Sequence, residues 1–340
     1  MLFKKIKTIL ASGLIAVGVA SSCLVISSCD NGGGGDTAYD QDTDPRLSGE
    51  DDAICQYAFD RTFSIAATNG ERWVRGTGWI YKRDTPTIDQ NYRYYLMTNW
   101  HVAYDFEHLD IPGNVIYGIS YLDSVDKNGI GYRFDSSKYK WANGIDDFYF
   151  TTPAWNAQRA VVSQTLYGVD ASMYKINLKG LALQDSYLKH RLDEINSAAS
   201  ADGSLLTFKT SEYTSVPTTP FYLVGYPSVG ENAATTRLTK RKNFMERDGI
   251  FNNYPNRQSH WIHPNVVQSV ADCYRFQEGY FNLRGGSSGS MILNSDKEVV
   301  GIYWGTVTYL DSGKVYGTAD ILKSAQYDVI NCANNDTQLS

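Results

Sequence analysis

Apolar residues recur along this chain at alternate positions or in short runs, each bounded by Gly, Asn, Asp or Pro. A period of two marks strands with one or both faces covered. It predicts strands at Phe63–Ala67, Gly78–Lys82, Tyr94–Asn99, Ile116–Leu122, Ala160–Ser163, Ala171–Ile176, Phe221–Gly225, Ser290–Leu293, Val299–Trp304 and Lys314–Thr318. Helical spacing is rarer. One helix is expected over Val102–His108 and another over Leu183–Ala199, where Leu188, Leu192 and Ile195 fall on one face. Many short strands and few helices predict a mostly β fold, as a barrel or a sandwich. Asp123–Thr152 and Thr235–Gln268 hold no sustained period and are expected as two long loop insertions, of the kind that carry function.

The first residues follow another pattern. Lys4, Lys5 and Lys7 precede an apolar stretch from Ile9 to Ala20, too short and too rich in small residues for a membrane span. It ends at two lipidation candidates, Ala20-Ser21-Ser22-Cys23 and Ile26-Ser27-Ser28-Cys29. Ile26 is the better aliphatic residue three before the cysteine, which favours Cys29; Cys23 has the more typical apolar length before it. Residues 1–28 are therefore expected as a lipoprotein signal peptide and 29–53, glycine-rich and acidic, as a lipidated flexible tether. A folded domain is expected over 54–334. These features predict a place on the cell surface, held to the outer face of the membrane by the N-terminal lipid.

Removal of residues 1–28 takes three lysines and no acid, moving the formal charge from −6 to −9. So acidic a chain is a poor partner for nucleic acid. Beyond the leader only Cys55, Cys273 and Cys332 remain, too few for a disulfide framework and with no zinc spacing. His260-x-x-His263 lacks a third ligand cluster, so neither metal nor cofactor is expected.

The chemistry concentrates in two segments. Gly285-Gly286-Ser287-Ser288-Gly289-Ser290 is a glycine-rich bend that can hold a hydroxyl clear of the backbone while nearby amides converge on one point. Tyr94-Tyr95-Leu96-Met97-Thr98-Asn99-Trp100-His101 is an apolar run that delivers a histidine to a strand end. A hydrolytic serine needs a base within reach, and that base needs an acid to set its tautomer. Gly285-x-Ser287-x-Gly289 also fits a nucleophile elbow, but that fold places its histidine after the serine. All five histidines (101, 108, 190, 260 and 263) precede Ser288. The order must be histidine, acid, serine.

These residues resemble bacterial trypsin-like endopeptidases. TNWHVAYD is similar to their histidine segment, GGSSGSMILN to their nucleophile segment, GIYWG at 301–305 to their specificity strand and FYLVGYP at 221–227 to the strand before the nucleophile. With the lipidation motif and GTGW at 76–79, the chain more narrowly resembles the mycoplasma lipoprotein peptidases that include immunoglobulin proteases. The resemblance spans roughly residues 55–325 and implies a chymotrypsin-like double β-barrel with the site between its halves. It implies Ser288 as nucleophile, His101 as general base and the N–H groups of Gly286 and Ser288 as oxyanion hole. Asp170, opening Asp170-Ala171-Ser172-Met173, matches the family's acid; Asp147, which also opens an apolar run, is the alternative. Thr77 and Gly78 are expected in a turn before the strand leading to the histidine.

The resemblance also implies a substrate pocket walled by Tyr303, Trp304 and Gly305, floored by Asn282, with Gly317 opposite. Asn282 is neutral, so no basic residue is expected before the scissile bond. Glutamyl endopeptidases carry a histidine where Tyr303 stands, so glutamate is not implied either. A neutral, aromatic or medium polar side chain is the expectation. The function expected is a surface-anchored serine endopeptidase acting on extracellular proteins, immunoglobulins among them, with a separate substrate-capturing lipoprotein as a candidate partner. The alternative is a catalytically inactive host-protein-binding lipoprotein on the same fold.

Overall fold

The computed structural model describes residues 24–27, 44–69, 73–84, 92–107, 109, 116–121, 169–229, 238–246, 269–283, 285–309, 312–324 and 328–335, with strand fragments between 132 and 167 and at 235–236 and 257–260. Asp147, Cys23, Cys29, His108 and His263 lie outside them, as do most of the two expected insertions.

In chain order the elements that build the molecule are β1 (Leu24–Ser27), α1 (Gly49–Phe59), β2 (Thr62–Thr68), β3 (Trp73–Arg83), β4 (Arg93–Thr98), α2 (Trp100–Glu107), β5 (Ile116–Ser120), β6 (Ser172–Asn177), α3 (Lys179–Gln184), α4 (Ser186–Ser197), β7 (Phe221–Gly225), β8 (Thr239–Asn243), β9 (Ser269–Arg275), β10 (Met291–Leu293), β11 (Glu298–Tyr309), β12 (Val315–Ile321) and α5 (Val329–Asn335). Every predicted strand is found, within a few residues at its ends. The mostly β expectation holds.

The strands form two large sheets, one from each half of the chain. The N-terminal sheet runs β5-β2-β3-β4-β6, antiparallel throughout, with two-residue fragments beyond each edge. The C-terminal sheet runs β9-β12-β11-β10-β7-β8, with Ala160–Val162 and Thr165–Tyr167 beyond β9. The ladders of neither sheet close into a barrel. The second is nevertheless rolled far enough that its edges meet: Met245 after β8 bridges Phe276 after β9, and Glu246 N–H donates to the Arg275 carbonyl at 2.9 Å.

Alternation along the strands sorts side chains into three cores. Phe63, Ile65, Ile80, Tyr94, Leu96, Val102 and Phe106 fill the N-terminal lobe with Leu188, Leu192 and Ile195 of α4. Phe221, Leu223, Phe276, Phe281, Ile292, Val300 and Tyr303 fill the C-terminal lobe. The opposite faces of the same strands form the third core, between the lobes: Trp79, Met97, Met173, Tyr222, Val224, Met291, Val299 and Ile302, with Ile54, Cys55 and Phe59 of α1. On β11 the phase slips. Val299 and Ile302 face the seam, while Val300 and Tyr303 face the lobe core, because a bulge opposite Ile292 and Leu293 inserts one residue.

Four expectations are corrected. The helix expected over Leu183–Ala199 is two helices broken at Asp185, whose carboxylate accepts from Tyr187 N–H at 3.0 Å and Leu188 N–H at 3.2 Å. A side chain that caps α4 so well starts a new helix. Thr77 and Gly78 lie inside β3 rather than in a turn. The insertion expected from Thr235 contains β8, whose alternating burial places the polar Thr239, Arg241 and Asn243 inward. Residues 44–53, expected within the tether, are folded. Their acids serve the start of α1: Asp51 reaches back to the Ser48 N–H at 2.6 Å, the return arm of a capping box.

Asp51 makes the fold sensitive to acid. Burial alone would raise its carboxyl, but hydrogen bonds from Lys242 (2.7 Å), Tyr222 (2.6 Å) and Ser48 hold it well below the ordinary carboxylate range. A group depressed in the folded state contributes stability above its unfolded pKa, about 4, and loses it as pH falls further. The melting temperature should therefore fall more steeply below pH 4 in the wild type than in Asp51→Asn, which starts lower. Parallel curves from pH 6 to pH 2 would refute this role.

Candidate active site

The ladder between β4 and β6 ends with Thr98 opposite Ser172, so the residues just beyond meet across the gap. Asn99 and His101 lie on one side, at the start of α2, and Asp170 on the other. Asp170 is 1% exposed and accepts twice from His101: from its backbone N–H at 2.9 Å and from Nδ1 at 2.5 Å. An ionised carboxylate has no proton to give, so Nδ1 carries the hydrogen and Nε2 is left as the acceptor. Asn99 Nδ2 donates to the Asp170 carbonyl at 2.6 Å. From the other lobe, the buried Asp320 of β12 accepts the Asp170 N–H at 2.8 Å. The expected acid and base are thus paired, and both lobes hold the acid.

Gly285–Ser290 lies across the seam. Gly286 and Gly289 have φ of +93° and +91°, and these left-handed turns set Ser288 at the tip of the bend. The bend is clamped by β3. Thr77 N–H donates to the Ser288 carbonyl at 2.8 Å, Thr77 Oγ1 donates to the Gly286 carbonyl at 2.8 Å and accepts from Tyr226 N–H at 3.0 Å, and Trp79 Nε1 donates to the Gly289 carbonyl at 2.8 Å. Thr98, three residues before His101, donates its hydroxyl to the Thr77 carbonyl at 2.8 Å. Thr77 therefore ties the serine bend, the Gly225-Tyr226-Pro227 segment and the histidine segment together. The sequence singled it out only as a turn residue. Asn99, Asp320 and Gly225 went unmarked as well; the fit of the last is close, since a Cβ there would stand 2.0 Å from Ser290 Oγ.

Ser288 is 1% exposed, and its Oγ lies 3.4 Å from the Trp304 carbonyl. After it, Gly289 N–H donates to the Tyr303 carbonyl at 2.9 Å and Tyr303 N–H to the Ser290 carbonyl at 2.8 Å. A Cβ on Gly289 would meet the Thr77 carbonyl at 2.0 Å and Thr98 Oγ1 at 2.5 Å. Gly289→Ala should accordingly destabilise the fold by about 3 kcal/mol or more, from left-handed strain plus overpacking at the seam. Thermal unfolding of that variant measures it, and a loss under 1 kcal/mol would contradict the clamp.

The residues expected to form the substrate pocket are arranged otherwise. Asn282 is exposed at the surface. Tyr303 is fully buried with its hydroxyl on the Phe281 carbonyl at 2.8 Å, and Trp304 is buried beside it. Burial pushes the Cys55 thiol up to about 12, so it stays protonated and is no nucleophile. His260 ends a strand fragment paired with β9. A cavity of about 210 Å³, lined by Phe208, Lys209, Val299, Leu322 and Ile330 among others, includes none of His101, Asp170 and Ser288.

A family model described as Mycoplasma immunoglobulin protease matches residues 52–181, and one described as peptidase S7, flavivirus NS3 serine protease, matches residues 272–321. Each spans less than half of the chain; the first includes His101 and Asp170, the second Ser288. No curated protein matches. Among solved structures, the active form of the Rv3671c protease from M. tuberculosis is 15% identical, with 82% of each chain covered and a TM-score of 0.41. A scabies mite inactivated protease paralogue is 12% identical over 78% of this chain and 90% of its own, with a TM-score of 0.41. The serine endoprotease from Yersinia pestis is 12% identical over 81% and 64%, with a TM-score of 0.39. Structural likenesses at these scores say nothing about activity. On both sides of the seam, then, the chain is similar to serine protease families, and a serine peptidase is the class those matches support.

Proposed function

We propose that the chain is a surface-anchored serine endopeptidase in which Ser288, His101 and Asp170 are the catalytic residues. The observation that carries this reading is the convergence at one seam of a histidine whose Nδ1 is held by a buried carboxylate and a serine bend clamped by β3, to which Thr98 of the histidine segment is also bonded. Ser288 Oγ attacks the scissile carbonyl and His101 Nε2 takes its proton. The resulting imidazolium stays paired with Asp170, and the oxyanion rests on the N–H groups of Gly286 and Ser288. His101 then gives the proton to the leaving amine, and water releases the acyl group by the same steps in reverse. Each bond broken is matched by one formed, and no cofactor enters.

The rest of the reading comes from the N-terminus. Lipid on Cys29 would hold the domain at the outer face of the membrane, within reach of extracellular proteins. Cleavage there would also remove residues 24–27, which in the full chain pair with Thr306–Tyr309. Immunoglobulins are the first substrates to try, with and without a partner lipoprotein that captures them. The second reading, a catalytically silent binding protein, has one observation behind it, the burial of Ser288.

Incubation with a fluorophosphonate, followed by mass spectrometry of the adduct, decides between the two. A single adduct on the peptide containing Ser288 supports the endopeptidase. Folded protein without an adduct supports the binding protein, and an adduct on Ser287 rejects this assignment of the nucleophile.

A further inference from the structure

If Ser288 is the nucleophile, the space beside it decides which side chain can precede the scissile bond. A substrate has to lay its carbonyl carbon against Ser288 Oγ, which faces the Trp304 carbonyl at 3.4 Å. The edge of β11 just past that carbonyl accepts an extended chain: β1 pairs with it antiparallel, Ser27 opposite Thr306 and Leu24 opposite Tyr309. A substrate strand in the same register brings a residue opposite Trp304 two positions further on, directly at Ser288. The side chain of that residue must enter between the two arms of the serine loop. One arm holds Phe281, Asn282 and Leu283, with Gly285 and Gly286, before Ser288; the other is Tyr303–Gly305, bonded to Gly289 and Ser290 after it.

That space is already filled. The main chain of Tyr303 is bonded both ways to Gly289 and Ser290, and its side chain crosses to the opposite arm. There its hydroxyl donates to the Phe281 carbonyl at 2.8 Å and accepts from Leu283 N–H at 3.4 Å. The ring has no solvent exposure. The second wall is closed as well, since a Cβ on Gly317 would stand 2.4 Å from Phe281 Cβ and 2.6 Å from its carbonyl oxygen. Phe281 in turn packs on Phe276, ring centroids 4.8 Å apart, which keeps that arm from swinging away. Arms tied by a hydrogen bond and closed by direct backbone contact leave no slot for an aromatic ring or a long aliphatic chain.

We propose that Tyr303 is the specificity-determining residue of the site, and that the enzyme cleaves after residues with small side chains, Gly, Ala or Ser. This rests on the endopeptidase reading. It replaces the sequence-based expectation of an aromatic or medium polar side chain at that position. Tyr303 acts by occupying the space that a larger substrate side chain would need, so its removal should change selectivity rather than chemistry.

The test uses the full chain and three reagents. One is a fluorophosphonate without a side chain; the others are aminoalkyl phosphonate diphenyl esters carrying a methyl or a benzyl side chain. The wild type should react with the first, and with the methyl ester at least about 100-fold faster than with the benzyl ester. Tyr303→Phe, which keeps the ring, should retain that ratio. Tyr303→Ala should bring it down by about 10-fold or more while still reacting with the fluorophosphonate. A wild type that labels with the fluorophosphonate and prefers the benzyl ester overturns this inference and leaves the endopeptidase standing. An unchanged ratio in a Tyr303→Ala protein that still labels also overturns it. No reaction of the folded wild type with any reagent rejects the endopeptidase reading, and this inference falls with it. Where Tyr303→Ala does not fold, the wild-type and Tyr303→Phe ratios decide.

Discussion

Replacing Ser288 by alanine should abolish peptide hydrolysis, lowering turnover by about 10⁶-fold, while leaving the melting temperature almost unchanged. The separation follows from how the bend is held. Its clamps all grip the main chain of the bend: Thr77 N–H donates to the Ser288 carbonyl, Gly289 N–H to the Tyr303 carbonyl and the Thr77 hydroxyl to the Gly286 carbonyl. The Ser288 hydroxyl reaches the Trp304 carbonyl at 3.4 Å, a long contact, and losing a hydroxyl hydrogen bond of this kind costs the fold about 1 kcal/mol. Chemistry, by contrast, loses its nucleophile outright. Single-turnover hydrolysis and a thermal melt on the same preparation measure both. Residual activity within 10-fold of wild type would remove Ser288 from the mechanism.

Asp170→Asn should lower turnover by about 10⁴-fold, an effect of tautomer more than of shape. An asparagine amide can donate to His101 Nδ1, which moves the ring proton to Nε2, where it blocks acceptance from Ser288. The carboxylate also accepts the His101 backbone N–H at the start of α2, so the variant should lose about 1 kcal/mol of stability through the weakened cap. Proton NMR separates the two effects. The wild type should show a far-downfield His101 Nδ1–H resonance from the 2.5 Å contact with Asp170, and the variant should lack it. A fall in turnover of less than about 10-fold would point to an acid other than Asp170, and Asp147 would then be the next to replace.

Much of the site could be read from residue order. Histidines confined to positions before Ser288 excluded the nucleophile elbow, and a strand ending in Thr98-Asn99-Trp100-His101 announced where the base would sit. Asp170 was recognisable because Asp170-Ala171-Ser172-Met173 resembles the family's acid segment and lies between His101 and Ser288, and the structure pairs it with His101. The helix at Gly49–Phe59 was hidden because its acids read as solvated tether, although Asp51 is 5% exposed and bonded to Lys242 and Tyr222. Strand β8 was hidden because its inward residues are Thr239, Arg241 and Asn243, which break the apolar period that strand reading depends on. Asp185 looked like one more charged helix residue; only its bonds to Tyr187 and Leu188 reveal a cap.

Tyr303 marks the boundary between the two kinds of information. Strict alternation from Val299 would place Tyr303 on the seam face with it, available as a pocket wall. One extra residue in β11, opposite Ile292 and Leu293, turns the ring into the lobe core and onto the Phe281 carbonyl. A bulge is a property of two strands paired, not of either sequence alone. By itself the sequence determined the strands, the order of the chemically active residues and the bend that presents Ser288, because parity and glycine conformations are local. Which lobe braces which residue was decided only when the sheets docked. Thr77 on Ser288 and Asp320 on Asp170 join residues far apart in the chain, and such contacts exist only once the burial of the seam core holds the two lobes together.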